Sequence, residues 1–277
     1  MDISFEVYPP RNPDDGPKLE AAILKLAELN PKFISVTFGA GGSSTKNSLE
    51  VLRFIRSNTD AMPLAHLTCV GTTESEARSL VHQFAEAGIV DFLALRGDLP
   101  EGQEAPGPDS LARADQLVSL IRSTQQSSGQ VAVAAFPNGH PESGATRSDL
   151  DALKAKQDAG ADFAITQLFF YTRDYFDFVE LARSRGITIP IIAGIMPIVS
   201  AKRLQRVVEL TGEENPTELA NALADASSSE ERIEVGIDWA AKQVGELLEA
   251  GIDAVHLYAF NEYKNVTEVL RRSGARS

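Results

Sequence analysis

A single cysteine, Cys69, stands among 277 residues. No intrachain disulfide can form, which suits a reducing compartment, and the apolar run around Cys69 marks it as an inert core thiol. No apolar stretch approaches the ~18 residues of a membrane span. The first strand-like run begins at Ile3 with no basic segment and no long apolar segment ahead of it, so no leader is expected and the protein is expected in the cytoplasm. Positive charge is scarce: 26 Lys and Arg face 39 Asp and Glu, a net charge of −13. That balance argues against nucleic acid and anionic membrane as partners, and any anionic ligand must be held by local donors. The surplus carboxylates read as solvated helix surface. No Gly-x-Gly-x-x-Gly follows a strand, so a Rossmann dinucleotide turn is not supported.

What is present is a repeating alternation. Eight apolar, β-branched or aromatic runs occur at Ile3–Tyr8, Phe33–Gly39, Leu64–Cys69, Phe92–Gly97, Val131–Pro137, Phe163–Phe170, Ile189–Pro197 and Ala254–Phe260. Most are continuous, as in parallel strands buried on both faces. Helical patterns lie between them. Thr73 and Glu76 form a capping box for a helix over Glu74–Gly88, and Ser148-Asp149-Leu150-Asp151 opens another. Gly160, Gly186 and Gly251 each stop a helix shortly before the next strand. Units of about thirty residues predict βαβ repeats, and eight of them predict an α/β fold, a (β/α)8 TIM barrel forming a single domain over residues 1–277. Two inserts break the rhythm: Leu99–Pro108, and Thr211–Glu231, which should hold an extra helix ahead of the long last one.

Such a barrel carries its chemistry at the C-terminal ends of its strands. Read in order, those ends offer Glu6, Thr37, His66, Arg96 with Asp98, His140, Gln167, Met196, and Tyr258 with Asn261. Polar groups in apolar runs are costly without partners, and their gathering at one end points to a functional mouth. Schiff-base chemistry would need a strand-end lysine, but Ala-Ile-Thr-Gln-Leu-Phe-Phe has none and Lys264 lies beyond the eighth run. A metal site would need clustered ligands, and only His66, His140 and Asp98 could converge, so no metal is assigned. Acid–base chemistry on a bound ring needs a buried carboxyl of raised pKa and a second charge nearby. Glu6, between Phe5 and Val7, suits the first role, and Asp98 beside Arg96 the second. The run Gly39-Ala40-Gly41-Gly42-Ser43-Ser44 is either a phosphate-wrapping loop or a plain turn.

Seven ordered motifs resemble methylenetetrahydrofolate reductases. They are Phe5-Glu6-Val7-Tyr8-Pro9-Pro10, Ser35-Val36-Thr37-Phe38-Gly39-Ala40, His66-Leu67-Thr68-Cys69, Ala94-Leu95-Arg96-Gly97-Asp98-Leu99-Pro100, Ile165-Thr166-Gln167, Gly194-Ile195-Met196-Pro197 and His256-Leu257-Tyr258. The fifth strand, Ala134-Ala135-Phe136-Pro137 with His140-Pro141-Glu142, is similar more loosely. The resemblance implies reduction of 5,10-methylenetetrahydrofolate to 5-methyltetrahydrofolate, with electrons from NADH or NADPH through FAD. It implies Glu6 as general acid for ring opening, and Asp98 as the carboxylate that stabilises the cationic pterin and tunes the flavin. Gln167 would contact folate and nicotinamide in turn, Thr37 would lie against the nicotinamide, and Tyr258 would line the folate site. His66, Arg96, Gly97, His140, Asp149 and Lys156 fall on flavin-contacting positions.

The sequence departs from the family where the flavin would sit. Phe136 replaces a tyrosine, Ala152 and Ala155 replace an Asn and an Arg near the flavin phosphates, and Arg113-Ala114 replaces a Tyr-Ala pair. A lost charge-assisted phosphate bond alone is worth roughly 1.5–3 kcal/mol. The departures leave two alternatives: FAD held by the remaining contacts as a hydride shuttle, or weak or absent FAD with direct reduction by the nicotinamide cofactor, the second slightly favoured. No Arg cluster stands ready for a 2′-phosphate, which favours NADH over NADPH. At the folate end Arg203 replaces a Gln and Glu262 an Arg. Two other classes stay open: a metal-assisted hydrolase or lyase on the same barrel, and a non-catalytic folate- or dinucleotide-binding protein. No oligomeric state is assigned.

Overall fold

A strand that is apolar on both faces is stable only when sheet neighbours hydrogen-bond its edges and other layers cover its faces. The computed structural model, which describes residues 1–10, 12–37, 45–97, 109–125, 129–140 and 146–275, meets that demand with a closed barrel. Its strands are β1 (Asp2–Val7), β2 (Phe33–Val36), β3 (Met62–Thr68), β4 (Asp91–Leu95), β5 (Val131–Ala135), β6 (Phe163–Thr166), β7 (Ile191–Ile195) and β8 (Ala254–Tyr258). All neighbours are parallel, and β8 returns to β1 with Ser4 opposite His256 and Glu6 opposite Tyr258. The expected (β/α)8 architecture is therefore the observed one.

The helices are α1 (Gly16–Ala27), α2 (Thr45–Asn58), α3 (Glu74–Glu86), α4 (Ala114–Gln125), α5 (Thr146–Asp158), α6 (Thr172–Ser184), α7 (Ala201–Thr211), α8 (Thr217–Asp225), α9 (Ser229–Glu249) and α10 (Tyr263–Arg272). The capping box on α3 forms as expected, with Thr73 N donating to Glu76 Oε2 (2.8 Å) and Glu76 N to Thr73 Oγ1 (3.2 Å). Helix α5 spans Thr146–Asp158, from two residues before the expected start, and its Asp149 accepts from the backbone N–H of His140 (2.9 Å). The extra helix expected in Thr211–Glu231 is α8. The long helix after it, α9, is not the last, since β8 and α10 follow. The Gly39–Ser44 loop and the Leu99–Pro108 insert lie outside the described residues.

Three apolar clusters build the molecule. The largest lies between the barrel and its helices, where Ile23, Leu52, Phe84, Val118 and Val244 meet the outward faces of the strands. The barrel interior is filled by Phe33, Leu64, Leu93, Ala132, Phe163 and Ile165. The third joins Leu168, Phe170 and Ile198, just past β6 and β7, to Leu204, Val207, Leu219 and Leu223 of α7 and α8. The α7–α8 pair thus walls one side of the mouth. Asn138, beyond β5, ties that wall in by donating to Glu213 (2.6 Å). Helix α9 fixes the β6 exit: Gln243 Nε2 donates to the carbonyls of Phe169 (2.8 Å) and Phe170 (3.2 Å), and Trp239 Nε1 to Phe170 (3.2 Å). Among the described residues no helix is long and apolar enough to cross a membrane.

Candidate active site

Strand alternation sends Ser4 and Glu6 to the same side of β1, and His256 and Tyr258 to the same side of β8. The β1–β8 register then sets the two pairs side by side. Glu6 sits at the rim of the resulting cluster with its side chain 23% exposed. His66 Nε2 of β3 lies 3.5 Å from Glu6 Oε2, and His256 Nε2 lies 4.0 Å from the same oxygen. Burial pushes the Glu6 carboxyl up from 4.5 to about 8, so it carries its proton at neutral pH. The same burial pushes His66 and His256 down to about 3, and both imidazoles are neutral.

The His256 ring is oriented from behind. Ser4 Oγ lies 2.8 Å from His256 Nδ1 and donates to the carbonyl of Val255 at 3.2 Å. With the hydroxyl proton used there, Nδ1 carries hydrogen and Nε2 offers a lone pair toward the Glu6 carboxyl. The His256 ring is stacked on Phe33 (5.5 Å between centroids, 20° between planes). Tyr258, whose hydroxyl burial and the neighbouring Glu6 hold far above the ordinary phenol range, donates to the Thr166 carbonyl (2.8 Å). That bond reaches across β7, past Gly194, whose missing side chain makes room: a Cβ there would lie 2.2 Å from the Thr166 carbonyl oxygen and 2.9 Å from the Tyr258 ring. Three fully buried polar atoms, Ser35 Oγ, His66 Nε2 and His256 Nε2, have no hydrogen-bond partner among the described residues. Leaving such an atom unpaired costs about 1–3 kcal/mol.

A second group of expected residues meets on the β5 side. Lys156 Nζ donates to the Ala134 carbonyl (2.9 Å) and stands 5.9 Å from the centre of the Phe136 ring. Phe136 in turn meets His140 edge-on at 4.7 Å, and Asp149 holds the His140 backbone. Burial pushes the Lys156 ammonium down to about 8 against the pull of Asp149 and Asp115. Ala152 and Ala155 face solvent on α5, and Arg113 is exposed and bound through two 2.9 Å hydrogen bonds to Asp115.

The remaining strand ends are scattered around the rim. Thr37 is held by its backbone, its N–H donating to Val7 (3.1 Å) and its carbonyl accepting from Ser48 Oγ (2.9 Å). The Arg96 carbonyl accepts from Val70 N (2.8 Å), and Gly97 takes φ +80 where a Cβ would meet Thr68 at 2.9 Å. The side-chain oxygen of Gln167 accepts from Leu168 N (2.8 Å). Met196 joins the third apolar cluster. Asn261 clamps both backbone groups of Tyr8, at 3.0 and 2.9 Å, from a left-handed conformation shared with Phe260 (φ 61 and 49). Over Phe260, 4.6 Å from its centroid, stands the Arg203 guanidinium, half-buried, in no salt bridge among the described residues and feeling the charge of Glu262. Glu262 is exposed and pairs instead with Lys18 (3.5 Å). Asp98 lies outside the described residues. Among those described, no group of three or more His, Cys, Asp or Glu side chains is placed to hold a metal ion.

Ser4, Ser35 and His256 are members of the Glu6 cluster that strand-end reading overlooks, because each lies inside an apolar run rather than at its tip. The signal for two of them was alternation, since Ser4 precedes Glu6 by two residues and His256 precedes Tyr258 by two.

Comparison with known proteins bears on this geometry. Residues 1–274 match the family model described as methylenetetrahydrofolate reductase. Among curated relatives, the 5,10-methylenetetrahydrofolate reductase of Pectobacterium carotovorum subsp. carotovorum is 35% identical over 94% of this chain and 86% of its own. That of Escherichia coli (strain K12) is 33% identical over 100% and 92%. The Arabidopsis thaliana protein named methylenetetrahydrofolate reductase (NADH) 1 is 33% identical over 98% of this chain but 48% of its own length. Among solved structures, a Clostridium thermocellum protein that binds two copies of 5-methyl-5,6,7,8-tetrahydrofolic acid superposes with a TM-score of 0.67 at 14% identity, covering 98% of this chain and 93% of that one. At that identity the likeness concerns the fold.

Proposed function

The chain belongs to the methylenetetrahydrofolate reductase family, and from that premise we propose that it reduces 5,10-methylenetetrahydrofolate with NADH, directly and without flavin. The observation that carries the reading is Glu6: a carboxyl that keeps its proton to about pH 8, open at the mouth and backed by two neutral imidazoles. An acid so poised can protonate the folate N10 as the five-membered ring opens. The cost of the resulting 5-iminium cation falls as the carboxylate forms beside it. NADH supplies the hydride that converts the iminium carbon to methyl. His256, fixed by Ser4, aims its Nε2 lone pair at Glu6 and steadies the protonated carboxyl before transfer. Tyr258, pinned to Thr166, and the α7–α8 wall give the ring a dry face. Asp98 is assigned the stabilisation of the cation, Thr37 and Gln167 the nicotinamide and pterin contacts. Arabidopsis and maize relatives are named for NADH, which favours it as donor.

FAD, the cofactor expected of the family, does not fit the residues of the β5 side. The Phe136 ring lies against both Lys156 and His140, and Ala152 and Ala155 offer the phosphates no polar side-chain atom. No step is therefore assigned to it. The test is to incubate the purified protein with excess FAD, desalt it, record its visible spectrum and assay it. A colourless protein that consumes NADH only when methylenetetrahydrofolate is present is the expected result. Stoichiometric retained flavin that is required for turnover would replace this reading with a flavin shuttle; no turnover in either form would move the chain to a binding role.

Arg203 is assigned the anionic tail of the folate. Half-buried over Phe260 and in no salt bridge among the described residues, it supplies a local cation that the acidic surface does not. Arg203→Gln should raise KM for methylenetetrahydrofolate roughly ten- to a hundredfold, the worth of one charge-assisted hydrogen bond, with kcat nearly unchanged. Steady-state kinetics at fixed NADH checks this, and an unaltered KM would remove Arg203 from the folate site.

A further inference from the structure

Going around the barrel from β8 through β1 and β2 to β3, the strands turn polar groups inward: His256 and Tyr258, Ser4 and Glu6, Ser35, and His66. Ser35 is the register partner of Glu6 on the neighbouring strand, so their backbones are one sheet spacing apart, about 4.8 Å. Ser35 lies on β2, between the strands that carry Glu6 and His66. Yet Ser35 Oγ and His66 Nε2 are fully buried without a hydrogen bond among the described residues, and the 3.5 Å from His66 Nε2 to Glu6 Oε2 exceeds a good one. Native interiors rarely leave two such atoms unsatisfied on adjacent strands, and the usual remedy at a polar site of this kind is one ordered water with two to four partners.

We propose that Ser35 Oγ, His66 Nε2 and Glu6 Oε2 bind a single water molecule inside the barrel, and that Ser35 and His66 are thereby positioning residues for the acid. The donors and acceptors close consistently. The Ser35 hydroxyl donates to the water, and the water donates one hydrogen to His66 Nε2 and the other to Glu6 Oε2. His66 then carries its ring hydrogen on Nδ1, as His256 does. The arm reaches Glu6 from the neighbouring strands β2 and β3. Because it donates to the carboxyl, it favours the ionised form left after proton transfer. Its importance for turnover rests on the reductase reading, but its existence does not.

The test is carbon-13 NMR of the glutamate-labelled protein, with the Glu6 carboxyl assigned by its loss in Glu6→Gln and titrated from pH 5 to 10 without substrate. Ser35→Ala should move the Glu6 midpoint upward by at least about half a unit, and Ser35→Thr, which keeps a hydroxyl, should return it to the wild-type position. The alkaline limb of NADH oxidation should move with it, with KM for the folate unchanged. A midpoint that stays put in Ser35→Ala, with circular dichroism confirming a folded barrel, overturns the proposal. A crystal structure showing the three atoms in dry contact does so as well. If the midpoint moves but no reductase activity exists, the water site stands and the functional reading fails.

Discussion

Glu6→Gln is expected to lower kcat for methylenetetrahydrofolate reduction by about a thousandfold or more, within the range by which a positioned general acid accelerates a step. The amide keeps the volume and the contacts to His66 and His256 but has no acidic proton to give N10. Wild-type activity should be flat at neutral pH and fall about tenfold per unit above the Glu6 midpoint of about 8, because the protonated form is the active one. His66 and His256, both near 3, do not titrate in that window. The same carboxyl leaves a mark on stability. Its folded pKa is raised, so its contribution is fully present below about 4.5 and is lost as pH climbs to about 8, while the unfolded chain has already released its proton. Glu6→Gln should remove that decline and be more resistant to urea than wild type at pH 9. Kinetics from pH 6 to 10, paired with denaturation at pH 5 and 9, checks both arms. Retained activity would strip Glu6 of its role. A lost rate with an unchanged stability profile would mean that the residue is less buried than its surroundings imply.

Gly194→Ala should cost about 3 kcal/mol, at the upper end of what overpacking a core usually does, and lower the melting temperature by roughly 5–10 °C. The obstacle is backbone: the new methyl would stand 2.2 Å from the Thr166 carbonyl oxygen, and Thr166 is fixed by its pairing with Ala135 on β5 and by the bond its Oγ1 accepts from Gly194 N (2.9 Å). Either the strands part or Tyr258, 2.9 Å away, gives up its bond to Thr166. Activity should therefore fall along with stability, because Tyr258 stands beside Glu6. Calorimetry and kcat on the same preparation decide it. A variant melting within about 2 °C of wild type would show that the strands yield more easily than a closed barrel should.

The barrel was legible because parallel strands leave long β-branched runs, and all eight were where the apolar pattern put them. Their ends were not. Phe163–Phe170 looks like one strand but pairs only through Thr166; Leu168 and Phe170 serve the α7–α8 wall, Phe169 the outer core, and α9 grips the Phe169 and Phe170 carbonyls. A sequence shows hydrophobicity, not the layer that consumes it. The rim residues Glu6, His66 and Tyr258 were readable as anomalies in apolar runs, and the structure brings them together. Ser4, Ser35 and His256 were not singled out, since a small hydroxyl or one imidazole within a strand looks tolerable until barrel closure shows what faces it. The helix expected from Ser148-Asp149 already includes Thr146, and the Asp149 side chain that resembles a cap accepts from the backbone N–H of His140.

The closure between β1 and β8 has a consequence in time. Ser4 and His256 touch across 252 residues of chain, and Glu6 lies between side chains from both ends of the sequence. During synthesis at about 5–20 residues per second, the first strand leaves the ribosome tens of seconds before its partner exists. Through that interval Glu6 is an ordinary ionised carboxylate on an unpaired edge, prone to whatever else would pair with it. The acid is therefore made last, by the same event that seals the sheet. A nascent or truncated chain lacking its final strand would be not a weaker catalyst but one whose proton donor has not yet come into being.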